Sequence, residues 1–155
     1  MPRRIAVRRC RGADLPSVLA IERASFEPDA WPRELFVELL EEWPRLFLLG
    51  IVDGRVAGYI AAVGRGEAAE LVSVAVHPRY RGRGVAGALM RRVLALLRRE
   101  AIGQCRLMVR PGNRWAIRLY RAFGFTRVRR VKDYYGRGRD AWRMRVRLQR
   151  PATSR

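Results

Sequence analysis

Apolar and polar positions alternate over residues 3–9, which predicts a first strand. Asp14-Leu15-Pro16 opens a helix, and Val18, Leu19, Ile21, Glu22 and Phe26 follow at helical spacing. Glu27-Pro28-Asp29 breaks it. Trp31-Pro32 starts a second helix that runs to about Trp43. Residues 46–52 and 56–63 read as strands joined by a hairpin at Asp53-Gly54. A turn is expected at 64–69, a strand at 70–76, and an amphipathic helix over 84–100 closed by Gly103. Residues 105–109 form another strand, and Pro111-Gly112-Asn113 caps a helix that ends at Phe123-Gly124. Two last strands span 125–132 and 141–148. The order βααβββαβαββ predicts a mixed α/β (α+β) fold with a largely antiparallel sheet. One domain is expected over 1–150, with 151–155 as a frayed tail.

Chemistry concentrates where the strand ending at Val76 meets the helix that follows. The run Val74-Ala75-Val76-His77-Pro78-Arg79-Tyr80-Arg81-Gly82-Arg83-Gly84-Val85-Ala86-Gly87 is a strand, a loop and a helix N-terminus. Unpaired N–H groups and the positive end of a helix dipole converge there, which makes an anion site. Gly82, Gly84 and Gly87 permit close approach to the backbone, and Arg81 and Arg83 add charge. A diphosphate is the expected guest. A Walker loop is excluded, because no Lys-Ser/Thr pair follows the glycines. Gly82-x-Gly84-x-x-Gly87 fits the dinucleotide string, but it starts mid-chain and no acidic residue ends a strand about twenty residues on.

Composition narrows the setting. With 155 residues, 49% hydrophobic and 30% charged, the chain can build a real core and is not a disordered segment. Cys10 and Cys105 lie far apart in apolar runs, and no Cys/His cluster has metal spacing. Buried free thiols in a reducing cytoplasm are expected, with no metal. No stretch has membrane-spanning length, and Met-Pro-Arg-Arg-Ile lacks a signal-peptide core. The net charge is +19, almost all from arginine, since Lys132 is the only lysine. Two readings of that charge stay open: proximity to RNA or ribosomes, and a compositional bias toward arginine. Either way, polycationic acceptors are repelled unless acids cluster at the acceptor mouth.

Two segments together resemble a known family. Arg81-x-x-Gly84-x-Ala86 after Val74-Ala75-Val76 resembles the pyrophosphate loop of the GCN5-related N-acetyltransferases (GNAT). Asn113-x-x-Ala116-x-x-Leu119-Tyr120-x-x-Phe123-Gly124-Phe125 resembles their second block, in the same order and separation. The resemblance covers about residues 5–148. It implies the acyl-CoA N-acyltransferase fold, with helices on both faces of a mixed sheet, and acetyl-CoA as cofactor. It places Val74, Ala75 and Val76 along the pantetheine arm like an added strand. Arg81, Gly82, Arg83, Gly84, Val85, Ala86 and Gly87 fall on the pyrophosphate, and Asn113 on the arm. Tyr120 becomes the general acid that protonates the leaving thiolate. Ile21-Glu22-Arg-Ala-Ser-Phe26, Trp31-Pro32, Asp133-Tyr134-Tyr135 and Asp140-Ala141 are similar to the RimI-type branch, which acetylates protein N-termini, a ribosomal protein among them. That implies an acceptor site bounded by Phe26, Glu27, Trp31, Tyr134 and Tyr135. Two alternatives stand beside it: a small-molecule amine N-acetyltransferase, and a non-catalytic ribosome- or RNA-binding module on the same scaffold. Oligomeric state is not indicated.

One position departs from that branch. Its members carry Glu-Val-Arg on the strand before the Asn, whereas this chain reads Met108-Val109-Arg110. A thioether cannot accept the amine's proton. A free α-amino group titrates near 8, so only about a tenth is neutral at pH 7. Ala69-Glu70-Leu71-Val72 resembles the catalytic-Glu strand of histone-type members, which makes Glu70 the first substitute base. Glu27 is the second. His77, the only histidine, reads as structural.

Overall fold

The computed structural model describes residues 4–148. The tail assigned to 151–155 lies outside the described residues. The elements follow in the expected order: β1 (Ile5–Arg9), α1 (Leu15–Phe26), α2 (Arg33–Glu42), β2 (Phe47–Val52), β3 (Arg55–Arg65), β4 (Ala68–Val76), α3 (Val85–Arg99), β5 (Gln104–Val109), α4 (Arg114–Ala122), β6 (Thr126–Val131) and β7 (Ala141–Arg147). Short 3-10 turns lie at Gly12–Asp14, Pro44–Leu46 and Pro78–Tyr80. The strands form a seven-stranded sheet in the order β1-β2-β3-β4-β5-β7-β6. β4 and β5 run parallel, Ala68 to Glu70 beside Gln104 to Arg106, while β1–β2, β2–β3, β5–β7 and β6–β7 are antiparallel.

The chain divides into two compact units. The first holds the residues through Val63 together with Ser73–Val93. Its core is aromatic: Phe36 meets Tyr59 edge-on at 5.6 Å, and Phe47 lies 6.2 Å from both. Two glycines set how closely α3 approaches this unit's strands. Gly50 and Gly58 face each other across β2 and β3. A Cβ on Gly50 would stand 2.8 Å from Val85 Cγ1, and one on Gly58 would stand 2.8 Å from the Ala75 carbonyl oxygen. The first turn of α3 therefore beds on bare backbone, and this fixes where the helix N-terminus sits. Gly58→Ala drives a methyl into a backbone carbonyl that cannot rotate away. An overpacking loss of about 1–3 kcal/mol is expected in urea unfolding, and a wild-type midpoint would refute the tight contact.

The second unit holds Gly64–Val72 and the residues from Leu94 onward. β5 and β7 alternate strictly. Cys105, Leu107, Val109, Met144 and Val146 are buried on one face, while Arg106 and Arg147 are exposed on the other. The expected turn at 64–69 is shorter than the sequence suggested, since β3 runs through Arg65 and β4 begins at Ala68. Gly64 belongs to the strand. Its φ is +130°, and a Cβ there would lie 2.7 Å from both the Ala68 oxygen and Ala69 Cα. The glycine serves close strand approach rather than chain reversal.

Candidate active site

The loop after β4 is built to hold an anion. His77 N–H closes the strand onto the Ala57 carbonyl at 2.8 Å, and the His77 ring accepts from Arg79 N–H at 3.1 Å. His77 thus fastens the end of β4 and the turn that follows it. Arg81 then folds back: its Nε donates to the Val76 carbonyl at 3.0 Å and its Nη2 to Ser25 Oγ at 3.4 Å. Arg83 lies 5.8 Å over the Tyr80 ring. Gly82 and Gly84 take φ of +76° and +86°, which turns successive N–H groups outward. Among the described residues, no acceptor is found for the N–H groups of residues 82–87. The first amide with a partner is that of Ala88, to the Gly84 carbonyl at 3.0 Å. A Cβ at Gly82 would meet nothing within 4 Å, so this backbone is open to a ligand. These unpaired amides at a helix start fit the diphosphate of acetyl-CoA. Val74, Ala75 and Val76, just upstream, are all buried.

The same unit ties the loop between α1 and α2 down through a buried carboxyl. α1 carries Glu22 on its apolar face, four residues after Val18, and Glu22 is only 2% exposed. Its Oε2 accepts from Trp31 N–H at 2.9 Å, and its Oε1 accepts from the Tyr59 hydroxyl. The Tyr59 oxygen is also 2.9 Å from Ser73 Oγ, next to Val74. One side chain thus couples α1, β3, β4 and the loop between α1 and α2. The sequence placed Glu22 on the helix but missed this role; an acid at i+4 from a core valine was the available signal. Burial pushes the Glu22 carboxyl above its ordinary value of 4.5, opposed by the Tyr59 and Trp31 bonds. A carboxyl with a raised folded-state pKa binds its proton more tightly folded than unfolded. Its contribution is therefore lost as pH rises from the ordinary value through the raised one. In thermal unfolding, wild type should lose stability relative to Glu22→Gln as pH climbs above 4.5. Parallel curves for the two proteins would show that burial does not perturb this group.

The loop itself borders an open cleft of about 610 Å³ lined by Arg23, Glu27, Trp31 and Arg33, among others. Two predicted acceptor residues, Glu27 and Trp31, therefore share one cavity. Phe26 ends α1 half-buried, and Trp31 packs 6.3 Å from Phe36.

The second unit carries the candidate acid and base. Asn113 caps α4 by accepting from Ala116 N–H at 3.2 Å, which leaves its side-chain amide hydrogens for a ligand. α4 buries Tyr120, whose ring lies 5.7 Å from Phe125. Among the described residues, no hydrogen-bond partner takes up its hydroxyl. Burial, then the neighbouring Tyr135 and Cys105, push the Tyr120 phenol well above its ordinary value, so it stays protonated. Tyr135 meets Tyr134 edge-on at 4.9 Å and Arg110 at 4.8 Å, and burial pushes its phenol up to about 12. Tyr134 is exposed. Glu70 does not stand alone: Arg106 Nε is 3.7 Å and Arg143 Nη1 is 3.5 Å from its oxygens. Met108, where the related branch has Glu, is opposite Arg143 in the β5–β7 register. Cys10 and Cys105 are free and buried, and burial pushes both thiols up to about 12, so neither is an activated nucleophile. Among the described residues, no group of three or more His, Cys, Asp or Glu could hold a metal, and no helix is long and apolar enough to cross a membrane.

Comparison with known proteins gives the chain's family. Residues 15–125 match the sequence profile of the acetyltransferase (GNAT) family. An N-alpha-acetyltransferase of Saccharolobus solfataricus is 31% identical, with 92% of each chain covered. The N-alpha-acetyltransferase RimI of Mycobacterium tuberculosis is 34% identical over 76% of this chain and 75% of its own. The crystal structure of Ard1 from Thermoplasma volcanium superposes with a TM-score of 0.88 at 31% identity, covering 94% of this chain and 98% of that one. These matches favour an enzyme over a non-catalytic scaffold. A free-amide loop at the start of α3, a protonated phenol on α4 and a profile match across both elements converge: the chain belongs to the acetyltransferase (GNAT) family and is an acetyl-CoA-dependent N-acyltransferase.

Proposed function

We propose that this enzyme acetylates the free N-terminal α-amino group of proteins, ribosomal proteins among the candidates, with one N-acetyltransferase domain doing the work. The observation that carries the reading is the likeness to N-alpha-acetyltransferases at 31% identity along 92% of the chain. Acetyl-CoA, when bound, supplies an activated acetyl thioester. The chain's own groups do the rest. Amides 82–87 hold the diphosphate, the backbone of Val74, Ala75 and Val76 pairs with the pantetheine arm, and the Asn113 amide is a further donor to that arm. Tyr120 donates its retained proton to the departing sulfur. Glu70 takes the amine's proton directly or through water, since Met108 cannot. Phe26, Glu27 and Trp31 of the first unit contact the acceptor peptide, and Tyr134 and Tyr135 of the second are further candidate acceptor residues. The free, buried Cys10 and Cys105 suit a reducing compartment, which makes the cytoplasm the proposed location.

The openness of the cleft at Glu27 and Trp31 favours a peptide over an enclosed small molecule. A thiol-release assay decides between them. Peptides starting with alanine, serine and methionine should release CoA, and blocking their α-amino group should abolish release. Faster turnover of amino sugars, polyamines or lysine side chains would overturn this reading.

A further inference from the structure

Five arginines share one face of the second unit's sheet. β7 alternates Arg143, Arg145 and Arg147 with buried Met144 and Val146. The register sets Arg106 of β5 directly opposite Arg145 and Arg129 of β6 directly opposite Arg143. Residues directly opposite in a sheet point the same way, so all five side chains stand on the face away from the core. Like charges in directly opposite pairs destabilise a sheet, and here there are two such pairs side by side. Among the described residues, one carboxylate, Glu70, pairs with them, at distances beyond a hydrogen bond. Among the described residues, Arg129, Arg145 and Arg147 form no ion pair. Arg143 Nη1 is buried with no hydrogen-bond acceptor. By contrast, Arg127 and Arg130 are occupied over the Trp142 ring, at 4.7 and 5.7 Å. A cleft of about 470 Å³ bordered by Gln104, Arg145, Arg147 and Glu67 lies at one end of the five-arginine face.

We infer that this face binds acidic side chains of the acceptor, so that the enzyme selects N-termini followed by Asp or Glu. The inference rests on the N-terminal acetyltransferase reading. It deepens it because Glu70 and Met108 stand on the same face as the arginines by register, which brings the amine's own chain across them. Guanidinium groups bind carboxylates in bidentate, charge-assisted pairs, and the exposed Arg106, Arg129 and Arg147 offer such groups on this face. Three adjacent strands span only about 10 Å, which suits a few peptide residues rather than a nucleic-acid backbone.

The test is a set of peptides alike except that residues two to four are Asp/Glu, Asn/Gln or Lys, assayed on wild type, Arg145→Gln/Arg147→Gln and Arg145→Glu. Calorimetry with acetyl-CoA on each protein checks folding and donor binding. Wild type should favour the acidic peptide over its amide counterpart by about tenfold in kcat/KM. That ratio should fall toward one in the double variant, and Arg145→Glu should shift preference toward lysine. Equal kcat/KM for acidic and amide peptides, or a preference that survives both variants, overturns the inference while leaving the N-terminal reading intact. So does RNA binding that is lost in the variants while peptide preference is unchanged. No transfer to any peptide by a protein that binds acetyl-CoA overturns both.

Discussion

Tyr120→Phe should lower kcat about a hundredfold while acetyl-CoA binds with wild-type affinity. The change removes one oxygen from a buried residue whose hydroxyl has no hydrogen-bond partner among the described residues. No buried partner is orphaned by the deletion, so folding should survive it. What disappears is a proton donor that burial keeps protonated across the working pH range. Stopped-flow single turnover should show the loss in the chemical step, because thiolate departure then depends on a proton from water. The sign of the pKa matters as well. A phenol pushed up by burial holds its proton at neutral and mildly alkaline pH, so it gives no falling limb in the rate profile there. A wild-type rate in the variant would remove the phenol from the chemistry.

Gly84→Asp should weaken acetyl-CoA binding by at least about a hundredfold and leave a folded protein. Gly84 immediately precedes α3, where an aspartate is a favourable cap for the exposed amides. Its φ of +86° strains any side chain, though Asp tolerates positive φ better than most. A Cβ there meets only Ile5 Cδ1 at 3.8 Å, an ordinary contact. Capping and strain therefore largely offset in the folded protein. For the ligand both effects oppose binding: the new carboxylate takes the amides and repels the diphosphate. Like charges in contact cost several kcal/mol, and each 1.4 kcal/mol is tenfold. Calorimetry measures the affinity, and circular dichroism confirms the fold. Unchanged affinity in Gly84→Asp would mean the phosphates bind elsewhere.

Much of this was legible in the chain alone, for physical reasons. The period of two in 141–148 and of 3.6 in 84–100 fixed both elements, because burial on one face demands that spacing. Gly82 and Gly84 disclosed the amide loop, since few other residues hold such φ values. Asn113 announced the cap of α4, and its hydrogen bond to Ala116 is the one expected of such a residue. Pairings across the sheet were not legible. Glu22 shows its helix face in the sequence, but nothing there says that Tyr59 and Ser73 wait for it. Gly50 and Gly58 read as weak spots within strands until the register sets them side by side under Val85. The arginine face was half visible, in the alternation of Arg143, Arg145 and Arg147, but Arg106 and Arg129 join it only through register. Glu70 read as a candidate base, whereas its two guanidinium neighbours depend on strands far away in sequence.

Backbone-amide NMR spectra recorded while CoA is titrated in probe the central assignment most directly. Large, saturable shifts should concentrate at residues 82–87 and at Val74, Ala75 and Val76, with the Gly82 and Gly84 amides moving downfield as they meet the diphosphate. Saturable binding that leaves those amides unmoved and perturbs another part of the chain would contradict it.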